Sequence, residues 1–333
     1  MTSSTDTGKT GRPVVSIITP VFNRAEYLAE TIESVINQTF TEWELLIIDD
    51  GSDTDECKII AENYGKGDSR IQYVYKSHAG TSVARNHGIS ISKGRYLGFL
   101  DSDDCYLPNG LDILIRALQR SPQNVKMVYG DFFKYFQAEN RHHPTRATPP
   151  LPRPGLYFQF LFNGANPVAP CASLSDRAVI EQIGGFKSQF DSLEDRSLWS
   201  ELIRNYDIAH IPEKVAIYRK HEKQITHFQY SNKRRLACER HTISFFSSLP
   251  LHVWFPETKN PEEKARALDG LAMALLNRPN TPFDTALYLM HMANKMSPSP
   301  DRKTFMNNLE ANIPRILQEQ YGSIERISIP YPY

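Results

Sequence analysis

The stretch Tyr96-Leu97-Gly98-Phe99-Leu100-Asp101-Ser102-Asp103-Asp104 decides the fold of this chain, because an apolar run leads directly into three carboxylates. An apolar run without alternation predicts a strand that is covered on both faces and reaches the surface at its C-terminal end. Carboxylates this close in sequence repel one another, and a divalent cation or several hydrogen-bond donors would relieve that repulsion. The alternative is an acidic turn that caps the next helix, and this stretch alone supports both.

Three further apolar runs precede this one, and helical patterns separate them. The pattern predicts strands that begin near residues 14, 44, 71 and 96, with a helix between each pair. Repeated strand–helix–strand units predict an α/β fold with a mostly parallel sheet and helices on both of its faces. Ligands of such sheets gather at the carboxyl ends of the strands. Because Thr19, Asp50 and Asp101 stand at such ends, we expect them to line one crevice.

Three local patterns give predictions that the structure can test. Pro20 is predicted to end the first strand, because it has no N–H for the ladder. Asn23, with Glu26 three residues later, has the pattern of a capping box at the start of a helix. Residues 141–155 contain five prolines and are predicted to form a loop. The adjacent His142 and His143 in this segment are expected to be exposed.

The composition is that of an ordinary globular protein, with 333 residues, 40% hydrophobic and 23% charged. Lys plus Arg equals Asp plus Glu at 38 each, so the charge balance favours no nucleic-acid partner. No apolar run approaches the roughly 18 residues that a membrane-spanning helix needs. Peripheral contact with a membrane surface stays an open alternative. The widely spaced cysteines are expected to be free thiols in a reducing cytoplasm; they are Cys57, Cys105, Cys171 and Cys238.

We expect three regions along the chain. Residues 1–12 are polar and rich in Ser, Thr and Gly, and are predicted to be a disordered leader. Residues 13–225 are expected to form the α/β domain. Residues 226–333 are expected to form a helical appendage, with helical patterns around 232–247, 261–277, 282–296 and 302–319.

Six short motifs stand in order along the α/β region. In this order and at these distances they resemble glycosyltransferase family 2, whose members have the GT-A fold, a Rossmann-like fold of nucleotide-diphospho-sugar transferases. The resemblance covers residues 13–225. The motifs are Thr19-Pro20-Val21-Phe22-Asn23-Arg24, Asp49-Asp50-Gly51-Ser52, Asp101-Ser102-Asp103-Asp104, Gly184-Gly185-Phe186, Glu194-Asp195 and Tyr218-Arg219-Lys220-His221.

The resemblance implies a metal-dependent, inverting glycosyltransferase that takes a sugar from a nucleotide sugar, with a UDP-sugar favoured. A bound Mn²⁺ or Mg²⁺ would neutralise the diphosphate as it leaves, and an Asp-x-Asp turn leaves room for phosphate oxygens on such an ion. The acceptor would be a saccharide or lipid-linked hydroxyl in bacterial cell-envelope polysaccharide biosynthesis. Processive synthases of the family carry a Gln-x-x-Arg-Trp motif and membrane helices. This chain has neither, so we expect one sugar per encounter.

The resemblance also assigns roles to residues. Asp103 would bind the metal, and His221 would be a second ligand or, alternatively, a surface histidine. Asp101 would meet the ribose or the water shell of the metal, and Asp104 would be structural. Asp195 would take the proton from the acceptor hydroxyl, or would only cap the following helix, and Glu194 would orient the acceptor. Arg85 would lie near the nucleotide or form a salt bridge on a helix face. The residues expected to contact the donor are Thr19, Pro20, Phe22, Asn23, Asp50, Arg85, Asp101 and Ser102.

Three other classes of protein fit the pattern less well. A dehydrogenase would carry G-x-G-x-x-G after the first strand, and a sugar nucleotidyltransferase would carry a glycine-rich phosphate loop there. This chain has Thr19-Pro20-Val21-Phe22-Asn23-Arg24 at that place. A nucleotide-sugar-binding protein that has lost catalysis would lack Asp103 or Asp195, and both are present. That last class remains the main alternative.

Overall fold

The computed structural model describes residues 12–162, 168–190, 193–222, 232–277, 282–321 and 326. The chain divides into two compact units, which we call the sheet unit and the helical unit. The sheet unit consists of Met1–Pro150, Pro167–Ser188 and Glu201–His221. The helical unit consists of Leu151–Asn166, Gln189–Ser200 and Glu222–Tyr333, and so includes two segments that precede residue 226.

All strands of the described chain belong to one sheet of the sheet unit, with the order β3-β2-β1-β4-β8-β6-β9-β5 and with β7 paired to β6. The strands are β1 (Val15–Val21), β2 (Trp43–Asp49), β3 (Ile71–Tyr75), β4 (Tyr96–Phe99), β5 (Cys105–Tyr106), β6 (Val125–Phe136), β7 (Arg141–Thr145), β8 (Ser173–Asp176) and β9 (Asp207–Lys220). The helices are α1 (Ala25–Ile36), α2 (Glu56–Gly67), α3 (Thr81–Ile91), α4 (Gly110–Arg120), α5 (Gly155–Phe162), α6 (Arg177–Gln182), α7 (Glu194–Leu202), α8 (Asn232–Ser247), α9 (Leu251–Trp254), α10 (Pro261–Leu276), α11 (Phe283–Met296) and α12 (Pro300–Tyr321).

The first four strands confirm the expected α/β fold and mostly parallel sheet. β1 lies between β2 and β4, and Ile18 pairs with Leu46 on one side and Phe99 on the other, in parallel register. β2 and β3 are also parallel, as are β6 and β9. Every residue of β1, β2 and β4 is buried, as the absence of alternation in their sequences predicts.

The predictions for Pro20 and Asn23 were wrong. Pro20 lies inside β1, on the side where the Ile18 carbonyl accepts a hydrogen bond from the Leu100 N–H. Because β4 has ended there, the missing N–H of proline leaves no ladder bond unmade. Helix α1 begins at Ala25 without a side-chain cap. Asn23 has a φ of 50° and its amide donates to Asp53 at 2.6 Å, so it joins two loops instead of capping the helix.

The predicted loop over 141–155 was wrong for its first five residues, which form β7. This strand pairs antiparallel with the extended end of β6, and Pro144 stands opposite Phe133. β7 pairs with β6 alone, and an edge position is where a strand tolerates proline. His142 and His143 are exposed, as expected, and their rings lie against Tyr135 and Phe136.

The helical unit confirms the four helical patterns expected after residue 226, as α8, α10, α11 and α12. Its aromatic core includes Trp254, whose ring stacks on Phe246 with centroids 4.5 Å apart and lies 5.5 Å from Tyr157. A buried ion pair joins Arg235 to Glu239 within α8. No helix within the described ranges is both long and apolar enough to cross a membrane.

Candidate active site

The three positions that are expected to line a crevice lie at the carboxyl ends of adjacent parallel strands of the sheet unit. Thr19 lies near the end of β1, Asp50 directly follows β2, and Asp101 follows β4. Since β1 is hydrogen-bonded to both β2 and β4 in parallel register, these three positions share one edge of the sheet. The topology therefore confirms that the three positions lie at one edge of the sheet, and their place in a ligand crevice stays a prediction.

The acidic turn after β4 brings three carboxylates together. Oxygens of Asp101, Asp103 and Asp104 all lie within 4.8 Å of one another. The turn is closed by a hydrogen bond of 3.0 Å from the Asp104 N–H to the Asp101 carbonyl. Helix α1 supports it, because the Thr31 hydroxyl lies 3.0 Å from the Ser102 carbonyl and 2.9 Å from that of Asp104. The turn is thus anchored while its carboxylates remain crowded.

Asp103 is the centre of a network of basic groups. Its Oδ2 accepts a hydrogen bond of 2.7 Å from Arg24 Nη1 and lies 2.9 Å from His221 Nε2. The side chain of His221 is 4% exposed, which excludes the alternative of a surface histidine. Its ring lies against Tyr27 at 4.9 Å, and Nδ1 is buried without a hydrogen-bond partner in the described chain.

Asp104 has a structural role in this turn. Burial, together with the charges of Asp103 and Asp101, raises the pKa of Asp104 well above its ordinary value. Its Oδ1 accepts a hydrogen bond of 2.9 Å from the backbone N–H of Arg219, at the end of β9. Arg219 also donates to the Asp103 carbonyl at 2.9 Å and pairs with Glu30. These contacts tie β9, the acidic turn and α1 to one another.

Arg85 and Asp101 form an ion pair of 2.6 Å at the rim of the turn. Arg85 is 3% exposed and its guanidinium lies 5.1 Å from the centre of the Phe186 ring. The salt bridge that was one alternative for Arg85 therefore exists, but it involves the acidic turn itself. Asp101 is one third exposed at 33%, whereas Asp103 is 5% exposed. Of the two carboxylates of Asp101 and Asp103, solvent therefore reaches that of Asp101.

Asp50 is surrounded by donors of the segment that follows β3. Lys76 forms an ion pair with its Oδ1, which also accepts from the Ala79 N–H at 3.1 Å. Its Oδ2 accepts from the Gly80 N–H at 2.8 Å and lies 2.9 Å from His78 Nδ1. Burial raises the pKa of Asp50, but these hydrogen bonds outweigh it and the net shift is downward. The carboxylate is therefore ionised and accepts hydrogen bonds from Lys76, Ala79 and Gly80. The hydrogen bond of His78 Nδ1 joins the Asp50 backbone carbonyl at 2.9 Å.

Phe22 and Thr19, at the end of β1, offer an aromatic face and a hydroxyl group that can contact a planar ligand. Phe22 is 43% exposed and stacks on His78 with ring centroids 4.3 Å apart. The Thr19 hydroxyl is buried and has no hydrogen-bond partner within the described ranges. Asp49 supports the turn after β2, because its Oδ1 accepts a hydrogen bond from the Ser52 N–H at 2.8 Å.

The residues of the acidic turn fit a divalent cation. Carboxylate oxygens are the ligands that Mg²⁺ and Mn²⁺ prefer, and an imidazole nitrogen also suits Mn²⁺. Asp101 and Asp103 would supply the oxygens, and the buried Nδ1 of His221, which has no partner in the described chain, belongs to a ring that already contacts Asp103. Asp104 is engaged with β9 and fits this role less well.

Glu194 and Asp195 belong to the helical unit, as the first two residues of α7. Asp195 Oδ1 accepts a hydrogen bond of 2.6 Å from the Arg196 N–H. Because α7 begins at Glu194, Asp195 lies inside the first turn and is not the residue that caps the helix. The acidic turn belongs to the other unit, so the catalytic roles of both residues stay predictions.

Sequence reasoning missed three basic residues of the site: Arg24, Lys76 and Arg219. Arg24 stood in a quoted motif without a role, and Lys76 stands in none. Arg24 and Lys76 meet the carboxylates of Asp103 and Asp50, and Arg219 meets the Asp103 carbonyl, only because strands distant in sequence are neighbours in the sheet. A search for basic residues just beyond each strand end would have found Arg24 and Lys76 as candidates.

Comparison with known proteins gives the same assignment as the motifs. The model of glycosyl transferase family 2 matches residues 16–184. An uncharacterized glycosyltransferase of Rickettsia felis is 30% identical over 286 residues, which are 86% of this chain and 45% of that protein. This chain therefore spans less than half the length of that relative.

Two solved structures are similar in fold. TarS of S. aureus in complex with UDP-GlcNAc has a TM-score of 0.52 at 14% identity, over 92% of this chain and 81% of that one. The mannosyltransferase PcManGT from Pyrobaculum calidifontis, in complex with GDP-Man and Mn²⁺, has a TM-score of 0.51 at 16% identity, over 94% and 88%. With a family match over half its length and this GT-A fold, the chain belongs to glycosyl transferase family 2.

Proposed function

We propose that this chain is an inverting glycosyltransferase that moves one sugar from a nucleotide sugar to a hydroxyl of a saccharide or lipid-linked acceptor. The observation that carries the proposal is the acidic turn, which lies at the same edge of the parallel sheet as Asp50 in a family 2 chain. TarS binds UDP-GlcNAc and PcManGT binds GDP-Man with Mn²⁺, which supports a nucleotide-sugar donor and a metal. We favour a UDP-sugar and a role in cell-envelope polysaccharide biosynthesis in the cytoplasm, and peripheral contact with the inner face of the membrane stays an open alternative.

Asp103, Asp101 and His221 would hold Mn²⁺ or Mg²⁺ in this proposal. The ion supplies charge neutralisation of the diphosphate that leaves the sugar. The chain adds its own cations, because Arg24 and Arg85 already donate to carboxylates of the turn at 2.7 and 2.6 Å. A guanidinium binds phosphate oxygens as well as carboxylates. Both arginines can therefore move to the phosphates of the donor when a cation neutralises the carboxylates of the acidic turn.

The nucleobase would lie on Phe22, near Thr19 and Asp50. Phe22 presents an exposed face, and the buried Thr19 hydroxyl has a hydrogen bond left to make in the described chain. Asp50 Oδ2 accepts one hydrogen bond, from the Gly80 N–H, and can accept a base N–H in the place where the His78 ring now lies. The His78 ring is the group that would move, because its side chain is 57% exposed whereas that of Lys76 is 17% exposed.

Asp195 would take the proton from the acceptor hydroxyl as it attacks the anomeric carbon, and Glu194 would orient the acceptor. A carboxylate in the first turn of a helix remains ionised and can act as a base in this way. Direct displacement by the hydroxyl inverts the anomeric centre. A glycosidase would need a second carboxylate to protonate its leaving group, which the metal makes unnecessary here.

A donor screen tests the assignment. Hydrolysis of a panel of nucleotide sugars is measured with and without Mn²⁺ for wild type, Asp103→Ala and Asp112→Ala; Asp112 is a control from an ion pair on α4 with Arg116. We expect metal-dependent hydrolysis that Asp103→Ala abolishes and Asp112→Ala preserves. Failure of every nucleotide sugar to bind or react refutes the donor assignment. Binding without turnover supports the non-catalytic alternative, and pyrophosphate release supports a nucleotidyltransferase.

The base is tested separately with Asp195→Asn. Loss of a general base lowers the rate roughly 10²–10⁴-fold, so we expect transfer to fall by this factor while UDP affinity stays unchanged. Glu201→Gln, on the same helix, is the control. Transfer by Asp195→Asn at the wild-type rate would show that another group is the base.

A further inference from the structure

A second cleft of the sheet unit lies at the edge of the sheet opposite the acidic turn, and we call it the amino-edge cleft. Val14, directly before β1, and Tyr96, the first residue of β4, line this cleft, which has a volume of about 540 Å³. Because β1 and β4 are parallel, their first residues share one edge, while Thr19 and Asp101 stand at the other. β1 has seven residues and therefore spans roughly 20 Å. The amino-edge cleft is thus separate from the candidate active site.

Positive charge predominates along the amino-edge cleft. The carboxylate among its described lining residues is that of Asp176, which already lies 3.7 Å from Lys126 Nζ. Among the lining cations, Arg177 pairs with Glu181 at 3.1 Å. The lining cations are Arg12, Lys93, Arg95 and Arg177.

Three of these cations have no acidic partner in the described chain. Arg12 donates through Nε to the Lys93 carbonyl at 3.1 Å, and the Arg95 guanidinium lies 5.1 Å from the centre of the Tyr96 ring. Neither these two arginines nor the Lys93 ammonium forms an ion pair within the described ranges. Like charges that line one cleft repel one another, and a bound anion relieves that repulsion.

Backbone groups fix two of the arginines and the loop that precedes β4. Arg12 Nε donates to the Lys93 carbonyl, and Arg177 Nη1 donates to the carbonyl of the preceding residue, Ser92, at 3.1 Å. The two guanidinium groups are thus held against consecutive residues. The Lys93 N–H donates at 2.6 Å to Glu44, which is buried in β2, so the loop is itself anchored to the sheet. Carbonyl groups hold an arginine in place without neutralising it, and a cation that is already positioned loses less entropy when a ligand binds.

The size and charge of the amino-edge cleft indicate the class of its ligand. Small-ligand sites occupy roughly 300–1,000 Å³, and this cleft falls in that range. Guanidinium groups bind phosphate oxygens through two parallel hydrogen bonds. Residues 1–11 do not supply the anion, because Asp6 and Lys9 are their only charged side chains. We propose that the cleft binds a soluble small molecule that carries two or more phosphate charges, since a concave site suits a discrete ligand better than a flat membrane surface. This site is additional to the proposed function and does not depend on it.

Calorimetry with inorganic pyrophosphate tests the site in the full chain, at low ionic strength and with EDTA so that no metal competes for the probe. Wild type is compared with a cleft variant, Arg12→Gln/Lys93→Gln/Arg95→Gln. Exposed charge pairs are individually weak, so we expect the three substitutions together to lower pyrophosphate affinity roughly tenfold. Lys93→Gln alone should lower it roughly two- to threefold, which tests the site even if the triple variant does not fold.

A matched variant controls for the loss of charge. Lys58→Gln/Arg141→Gln/Arg146→Gln removes one lysine and two arginines from exposed positions elsewhere on the sheet unit, and it should bind pyrophosphate as wild type does. No binding by wild type, equal affinity of wild type and the cleft variant, or equal losses in the cleft and control variants would each overturn the proposal.

Two further measurements separate the amino-edge cleft from other sites. The cleft variant should bind UDP with Mn²⁺ as tightly as wild type does, and a weaker affinity would show that these cations act at the donor site. Flotation with phosphatidylglycerol vesicles tests a membrane source of the phosphate. Vesicle binding that the cleft variant loses and that pyrophosphate does not displace would assign these cations to a membrane surface and overturn the soluble ligand. Pyrophosphate affinity without metal does not involve sugar transfer, so this result stands whether or not the proposed function is correct.

Discussion

Arg24 and a divalent cation compete for the same carboxylate. In this structure Arg24 Nη1 donates to Asp103 Oδ2 at 2.7 Å, and Asp103 is 5% exposed. A cation that binds Asp103 must weaken or replace this hydrogen bond. We therefore predict that Arg24→Ala binds Mn²⁺ more tightly than wild type when no nucleotide is present, although the substitution deletes a residue of the active site.

The size of the effect follows from the contact. A hydrogen bond between charged groups contributes roughly 1.5–3 kcal/mol. The Arg24 side chain is 23% exposed, so solvent weakens the pair and the lower end of that range applies. About 1.4 kcal/mol corresponds to a factor of ten in an equilibrium constant. The expected gain in Mn²⁺ affinity is therefore about tenfold.

Titration of free Mn²⁺ by electron paramagnetic resonance measures this affinity directly. Arg116→Ala is the control, because Arg116 pairs with Asp112 at 2.9 Å on an exposed helix face. We expect the control to leave Mn²⁺ affinity unchanged. In the presence of Mn²⁺, Arg24→Ala should bind UDP more weakly than wild type, since the guanidinium that we propose to bind the diphosphate is gone. Unchanged or weaker Mn²⁺ binding by Arg24→Ala would refute the competition.

Three further predictions concern the base pocket, the sheet and a buried carboxylate. Phe22→Ala should weaken UDP binding by roughly 1–3 kcal/mol, because the stacking of the base is lost, and calorimetry measures this affinity. Tyr75→Ala, at a residue that is also exposed, should leave UDP affinity unchanged. Equal losses in the two variants would count against Phe22 as the surface that binds the base. Gly94→Ala places a methyl group 2.5 Å from a backbone nitrogen of β1 and should lower the free energy of unfolding by roughly 1–3 kcal/mol. Gly67→Ala, whose methyl group meets no atom within 4 Å, should lower it less. A urea titration that ranks the two variants the other way contradicts this packing. Burial raises the pKa of Glu239 from 4.5 to about 7, so the folded state keeps a proton that the unfolded state releases, and stability falls as pH rises through that window. Glu239→Gln should make the unfolding free energy less dependent on pH between those values, and an unaltered slope would exclude Glu239 as its source.

Much of the fold was predictable because its signals are local. An apolar run without alternation marks a strand buried on both faces, and the helical patterns between such runs predict the βαβ order that the sheet confirms. The local predictions that were wrong depended on neighbours. Pro20 stays in β1 because β4 has already ended beside it, and residues 141–145 form a strand because the end of β6 is there to pair with them.

The sequence by itself determined which carboxylates gather at the site, since each follows a strand and parallel strands end at one edge. It also determined the family, through the order of its motifs. Only the tertiary structure decided what each carboxylate is bonded to. Arg24 meets Asp103, and Lys76 meets Asp50, across distances in sequence that no local pattern encodes. The physical reason is that backbone periodicity is set by neighbouring residues, whereas a buried charge takes its partner from whichever elements pack around it.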